Sequence, residues 1–346
     1  MQFIYDRPAG FMFAVCLFMT FAITVLILRR LIPFLKSMHM GQKILDIGPR
    51  WHKSKEGTPT MGGLAFIVSM TLVLAAALLT IMLYGGDGAL GKVCSDVLGS
   101  PVKLIITFSM ALLSGVIGMI DDSAKLRKKQ NEGLTASQKF LLQLILAACY
   151  LFLMRATGNL STEMYIPYLG VRVQLGIFYY IFALILITGF LNSVNLNDGI
   201  DGLCSSMSAA VGIFFAYASF KAGAFDCMLL SAVCIGGCLG FLVYNFHPAR
   251  VFMGDTGSLF LGGLLVGMAF MLDNPLIIVV CGLVYICETL SVMIQVTYFK
   301  LTHGKRFFKM APIHHHFEKC GWSEVKIVII FTLATCVCCA AAVYGL

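Results

Sequence analysis

Apolar runs of about 20 residues recur from one end of the chain to the other, each long enough to cross a ~30 Å hydrocarbon core. Ten spans are read at roughly 10–32, 62–84, 102–120, 138–157, 173–191, 203–220, 227–245, 257–272, 275–298 and 325–344. Lipid cannot satisfy backbone N–H and C=O groups, so each span is expected to be helical. Of the 346 residues, 59% are hydrophobic and 12% charged, which excludes a soluble domain built around one core. The expectation is an all-α integral membrane protein forming a single polytopic domain over 1–346. The first span follows Asp6-Arg7 and ends in Arg29-Arg30, not at a small-residue cleavage site, so no cleavable signal is expected. Thirteen cysteines, mostly inside the spans and without CxxC spacing, read as small apolar helix residues.

Charge sets the orientation. With the N-terminus outside, nineteen of the 25 Lys and Arg fall on the inner side, including Arg29, Arg30, Lys43, Arg50, Lys53, Lys55, Lys125, Lys129, Lys139, Arg250, Lys300 and Lys326. The outer side keeps Arg7, Lys92, Lys103, Arg155, Arg172 and Lys221, balanced by Asp6, Asp87, Asp96, Glu163, Asp226 and Asp273. An even number of spans puts the C-terminus outside too. The inner side thus carries the whole net charge of +8. A basic inner face suits anionic lipid heads and a phosphorylated soluble substrate. Nucleic acid is not expected as a partner.

The polar motifs gather on that same inner face. Asp121-Asp122 ends the third span, where a helix C-terminus disfavours acids and Lys125 offsets them. A solvated helix end is the bland reading. A carboxylate that takes a proton or holds a cation is the sharper one. Asn195-Leu-Asn-Asp198-Gly199-Ile200-Asp201-Gly202 is a polar turn between spans, and Asn192 to Gly202 holds more acids and amides than a turn needs. Gly199 and Gly202 would let a flat ligand approach the backbone. Gly254-Asp255-Thr256-Gly257-Ser258 opens the eighth span, where Asp255 suits a helix N-cap and the first N–H groups suit phosphate. Phe252, just upstream, could stack on a base. Paired acids near hydrocarbon, with Lys and His nearby and no all-protein cage, suit Mg²⁺ and phosphate chemistry.

Two further segments complete the inner face. Lys55-Glu-Gly-Thr-Pro-Thr60 before the second span suits phosphate binding or capping equally. In Pro312-Ile-His314-His315-His316-Phe-Glu318 three consecutive imidazoles cannot point one way, so a zinc cage is disfavoured and pyrophosphate binding preferred. Glu288, deep in the ninth span, is either paired or functional, and Gln295 is expected to line the cleft.

Thr-Pro-Thr-Met-Gly-Gly, the Asp pair, Asn-Leu-Asn-Asp-Gly-Ile-Asp-Gly-Leu, Phe-Met-Gly-Asp-Thr-Gly-Ser and Ala-Pro-Ile-His-His-His-Phe-Glu occur in this order. In that order they closely resemble the phospho-N-acetylmuramoyl-pentapeptide transferases, within the polyprenyl-phosphate N-acetylhexosamine-1-phosphate transferase superfamily. The resemblance covers essentially the whole chain; Ile200, where Leu is also familiar, is a conservative variation. It implies ten spans with both ends outside and a cytoplasmic-face cleft in the bacterial inner membrane. It also implies Mg²⁺-dependent conversion of UDP-MurNAc-pentapeptide and undecaprenyl phosphate into lipid I and UMP. By the same resemblance Asp255 is the Mg²⁺ ligand, Asp121 and Asp122 are the acids near the pyrophosphate, and Lys125 is the conserved lysine beside them. Lys55, Gly199, Ile200, Asp201, Asn245 and Phe252 fall to the nucleoside pocket. Asn195, Asp198, Thr60, Gln295, Ala311, His314 and His315 fall to other cleft positions used by substrate or nucleoside inhibitors. A homodimer is left open. The alternatives are a sister enzyme using UDP-GlcNAc, disfavoured by the uninterrupted His triplet, and a secondary transporter, disfavoured because its acids would sit near the midplane.

Overall fold

The computed structural model describes residues 2–38, 55, 57–84, 101–128 and 133–346. Lys43, Arg50, Lys53, Lys92, Lys129, Asp87 and Asp96, which entered the orientation argument, lie outside the described residues. The elements are α1 (Gln2–Ser37), α2 (Gly63–Tyr84), α3 (Pro101–Lys128), α4 (Ala136–Ala156), β1 (Glu163–Ile166), β2 (Val171–Gln174), α5 (Ile177–Asn197), α6 (Leu203–Ala222), α7 (Phe225–Asn245), α8 (Gly254–Met271), α9 (Ile277–Cys281), α10 (Leu283–Leu301), α11 (Ile313–Lys319) and α12 (Glu324–Val343). Among the described residues nine helices, α1 to α8 and α12, are long and apolar enough to cross a membrane. The protein is an all-α multi-pass membrane protein.

Three expectations are corrected. The span at 275–298 is broken at Gly282 into α9 and α10. Only glycine fits at the break: a Cβ on Gly282 would lie 2.5 Å from the Phe190 ring and 2.6 Å from the Ile278 carbonyl. The fifth span starts later than 173, because Val171–Gln174 pairs antiparallel with Glu163–Ile166, with Tyr165 opposite Arg172. The alternation in Val-Arg-Val-Gln was the available signal. The third span does not stop at Ile120, since α3 runs on to Lys128. Asp121 and Asp122 therefore project from within a helix and not from its end.

Helix α8 is the centre of the bundle. It packs against α2, α3, α5, α6 and α7, and 89% of its apolar window is buried, against 22% for the peripheral α1. Small residues permit the close approach that van der Waals packing in lipid requires. A Cβ on Gly118 would lie 2.1 Å from the Asp255 carbonyl oxygen, so α3 touches the backbone of α8 there. A Cβ on Gly63 would lie 2.4 Å from Gly257 Cα, so α2 meets the same turn. These two contacts bring the Asp pair and the Thr60 segment to the start of α8.

Candidate active site

Asp121, Asp122 and Asp255 converge, with one oxygen of each within 4.8 Å of the others. Lys125 Nζ lies 2.7 Å from Asp121 Oδ2, 2.9 Å from Asp255 Oδ2 and 4.0 Å from Asp122 Oδ1. A second ammonium, Lys139, donates to Asp255 Oδ2 at 2.8 Å and to Asn195 Oδ1 at 2.9 Å. Asn195 Nδ2 in turn donates to Asp255 Oδ1 at 2.9 Å and to Ser258 Oγ at 2.8 Å. Asn195 lies in the last turns of α5, which continues through the predicted turn as far as Asn197.

The two adjacent aspartates have different work. Asp121 Oδ1 accepts from the Leu134 N–H at 2.7 Å. Asp122 accepts from the Asp255 N–H at 3.2 Å, the Thr256 N–H at 2.9 Å and the Thr256 hydroxyl at 2.7 Å. Asp122 is thus the cap of α8, supplied from another helix. This corrects two expectations. Asp255 is not the N-cap but lies in the first turn. The N–H groups of Asp255 and Thr256 are not free for phosphate, because Asp122 already occupies them. Gly254, at φ 72°, fits between Asp122 and Thr60: a Cβ would lie 2.6 Å from Asp122 Oδ2 and 2.9 Å from Thr60 Oγ1.

A second cluster lies beside the first. Lys55 Nζ donates to Asp201 Oδ1 at 2.7 Å and to Glu324 Oε2 at 2.6 Å. Asp201 Oδ2 meets His247 Nδ1 at 3.0 Å and accepts from the Ala249 N–H at 3.0 Å. Asn245 accepts from the Gly202 N–H at 3.1 Å and donates to the Val251 carbonyl at 2.9 Å, tying the α5–α6 turn to the segment before Phe252. Phe252 is half-buried, its backbone held by Pro59 and Gly62. Ile200 is only 4% exposed, so its side chain belongs to the core and its backbone alone faces the turn.

Asp198 lies between the clusters. Withdrawal from solvent, and then the charges of Asp255, Asp122 and Asp201, push its carboxyl well above the ordinary carboxylate range. Asp121, Asp122, Asp198 and Asp255 therefore form one electrostatic neighbourhood, with Asp201 on its margin.

The three imidazoles take different partners, although the His314 and His315 rings lie 4.2 Å apart centroid to centroid. His314 is buried against Glu288, and His315 pairs with Glu318 on its own short helix. His316 accepts from the Lys309 N–H at 3.1 Å. Gln295 accepts from the Phe308 N–H at 2.8 Å, anchoring the segment that leads to Ala311 and α11. The sequence reading did not single out Lys139, His247, Glu324 or Thr256. Thr256 stands inside the Gly254–Ser258 motif, and Lys139 follows the Thr135/Gln138 capping box that starts α4, which fixes it at that end of the helix. His247 and Glu324 join the site through helix pairing alone.

Comparison with known proteins assigns first a class. Residues 104–273 match the model of glycosyl transferase family 4, so the bundle with its acid–lysine centre is that of a membrane transferase. Residues 55–67, which hold Lys55 and Thr60, match the phospho-N-acetylmuramoyl-pentapeptide-transferase signature 1. A phospho-N-acetylmuramoyl-pentapeptide-transferase of Clostridium botulinum (strain Alaska E43 / Type E3) is 42% identical over 323 residues, 93% of this chain and 93% of the relative. The Staphylococcus saprophyticus protein of that name is 43% identical over 89% of this chain and 91% of its own. The one from Enterococcus hirae is 42% identical over 91% and 92%. The chain belongs to the phospho-N-acetylmuramoyl-pentapeptide-transferase family.

Proposed function

We propose that this chain, as one transferase domain, moves phospho-MurNAc-pentapeptide from UDP-MurNAc-pentapeptide to undecaprenyl phosphate, yielding lipid I and UMP. The observation that carries the reading is the convergence of Asp121, Asp122 and Asp255 with Lys125 and Lys139, from three different helices, in a chain of this family. An all-oxygen donor set without thiolate or ligating imidazole fits a hard divalent cation, and Mg²⁺ is the ion proposed, held by Asp255 with Asp121 beside it. When bound, Mg²⁺ supplies charge neutralisation and polarisation at the diphosphate.

The protein's own groups do the rest. Lys125 and Lys139 neutralise phosphate oxygens that would otherwise repel one another. An oxygen of the lipid phosphate forms a bond to the phosphorus that bears MurNAc. The bond from that phosphorus to the bridging oxygen breaks, and UMP leaves with the electron pair. Direct attack is favoured over a covalent aspartyl route, because Asp122 is committed to the α8 cap and Asp121 is held by Lys125 and the Leu134 N–H. A lipid phosphate is largely ionised near neutral pH, so Asp121 positions it without needing to act as a strong base. The Lys55–Asp201 cluster, with Gly199, Asn245 and the half-buried Phe252 ring, forms the uridine side. The excess of basic residues supports putting this end of the bundle on the cytoplasmic side of the bacterial inner membrane.

The test is UMP release by purified protein with Mg²⁺ and undecaprenyl phosphate. UDP-MurNAc-pentapeptide is the expected donor, and turnover of UDP-GlcNAc alone would defeat this assignment. Asp255→Asn is expected to abolish the reaction while the protein stays folded. Near-normal rates would remove Asp255 from the metal site.

A further inference from the structure

Glu288 has no place in the chemistry above, yet its setting is unusual. Helix α10 exposes Leu290, Met293, Ile294 and Leu301 on one side, while Glu288 itself is 0% exposed, as is His314 on α11. One carboxyl oxygen lies 3.1 Å from His314 Nδ1 and the other 3.5 Å from the His314 backbone N–H. The Nδ1 contact is off hydrogen-bond alignment, so its attraction is chiefly electrostatic. A carboxyl shut away from water costs several kcal/mol unless a proton-bearing partner faces it. His314 is that partner, and the tautomer with hydrogen on Nδ1 suits the contact. One acid thus faces both the ring and the main chain that carries it.

The far edge of the ring meets the catalytic turn. His314 Nε2 has no hydrogen-bond partner, and a Cβ on Gly199 would lie 2.2 Å from it and 2.7 Å from Cε1. Gly199 follows Asp198, whose charge couples to Asp255 and Asp122, and precedes Asp201, which holds Lys55. The ring packs against the turn between the two clusters, close enough that Gly199 has no room for a side chain.

We propose that Glu288 is a positioning residue: through His314 it props the Asp198–Asp201 turn and sets the spacing between the acid–lysine centre and the Lys55 cluster. Its effect on turnover rests on the transferase reading; its effect on the turn does not. The experiment uses full-length protein as wild type, Glu288→Gln, His314→Gln, the double variant and Gly199→Ala. Hydrogen exchange of the 198–202 amides needs no substrate. Each single variant is expected to accelerate it about tenfold, with the double variant no faster than either single one. The kcat for UMP release is expected to fall roughly 10- to 100-fold in each single variant, as for outer partners of a functional imidazole, and no further in the double. KM for the sugar nucleotide should move far less. Unchanged exchange in Glu288→Gln, or losses that multiply in the double variant, overturns the proposal. Should Glu288→Gln not fold, Gly199→Ala displaces the ring from the other side with the acid intact, and normal exchange in that variant also overturns it. A wild type that releases no UMP ends the transferase reading and leaves the exchange cycle to judge the prop.

Discussion

Asp121 and Asp122 are neighbours in the chain and nothing in their sequence separates them, yet their surroundings differ. Asp121 faces an ammonium, whereas Asp122 satisfies three donors at the start of another helix. Asp122→Asn would turn an amide NH₂ toward N–H groups that need an acceptor, or leave one of them unpaired. The expected cost is about 1–3 kcal/mol of stability, read as a lower unfolding midpoint, together with lost UMP release. An unchanged midpoint would mean that Asp122 is not a structural cap. Asp255→Asn is expected to behave differently, losing activity with little change in the midpoint, since Asp255 contacts only side chains through its carboxylate. The sequence made the acids legible as a group because carboxylates near hydrocarbon are rare. It did not reveal their division of labour, because that depends on which helix lies alongside.

Helix contacts explain which parts of the site escaped the sequence reading. The spans were legible from the length of apolar runs, and most ends agree within a few residues. The Gly282 break was not, because a single glycine inside an apolar run does not by itself mark the end of a span, and the Phe190 ring that leaves no room for a side chain there lies on another helix. Lys139 reads as lying on the same side as the acids but not in their centre, since only the packing of α4 beside α5 brings it to Asp255. The α2–α8 crossing offers a test at this scale. Gly63→Ala would drive a methyl into Gly257 Cα, Gly257 N and the Met253 carbonyl, all backbone atoms that cannot rotate away. Overpacking of this kind costs about 1–3 kcal/mol, and separation of the helices should loosen the Thr60–Gly254–Asp122 contact and slow turnover. Gly189→Ala, with nothing within 4 Å of the added methyl, is the control and is expected to be neutral or mildly stabilising. Equal behaviour of the two variants, in unfolding midpoint and rate, would refute the close crossing.

Across the whole bundle the two ends are chemically distinct. Helices α3, α4, α5 and α8 carry Asp121, Lys139, Asn195 and Asp255 at one end. The opposite end holds the hairpin and the Lys103–Asp273 ion pair at 3.1 Å. The proposed orientation rests on loop charge, and a cysteine replacing Ala222, exposed at the end of α6 on the hairpin side, checks it once the thirteen native cysteines are removed. Labelling by an impermeant reagent from outside intact cells is expected; labelling only after lysis would invert the topology. Helix α10 borders lipid on one flank and carries Glu288 on the other. The acid that faces His314, and through it the Asp198 turn, thus sits on an element whose other flank is exposed and apolar.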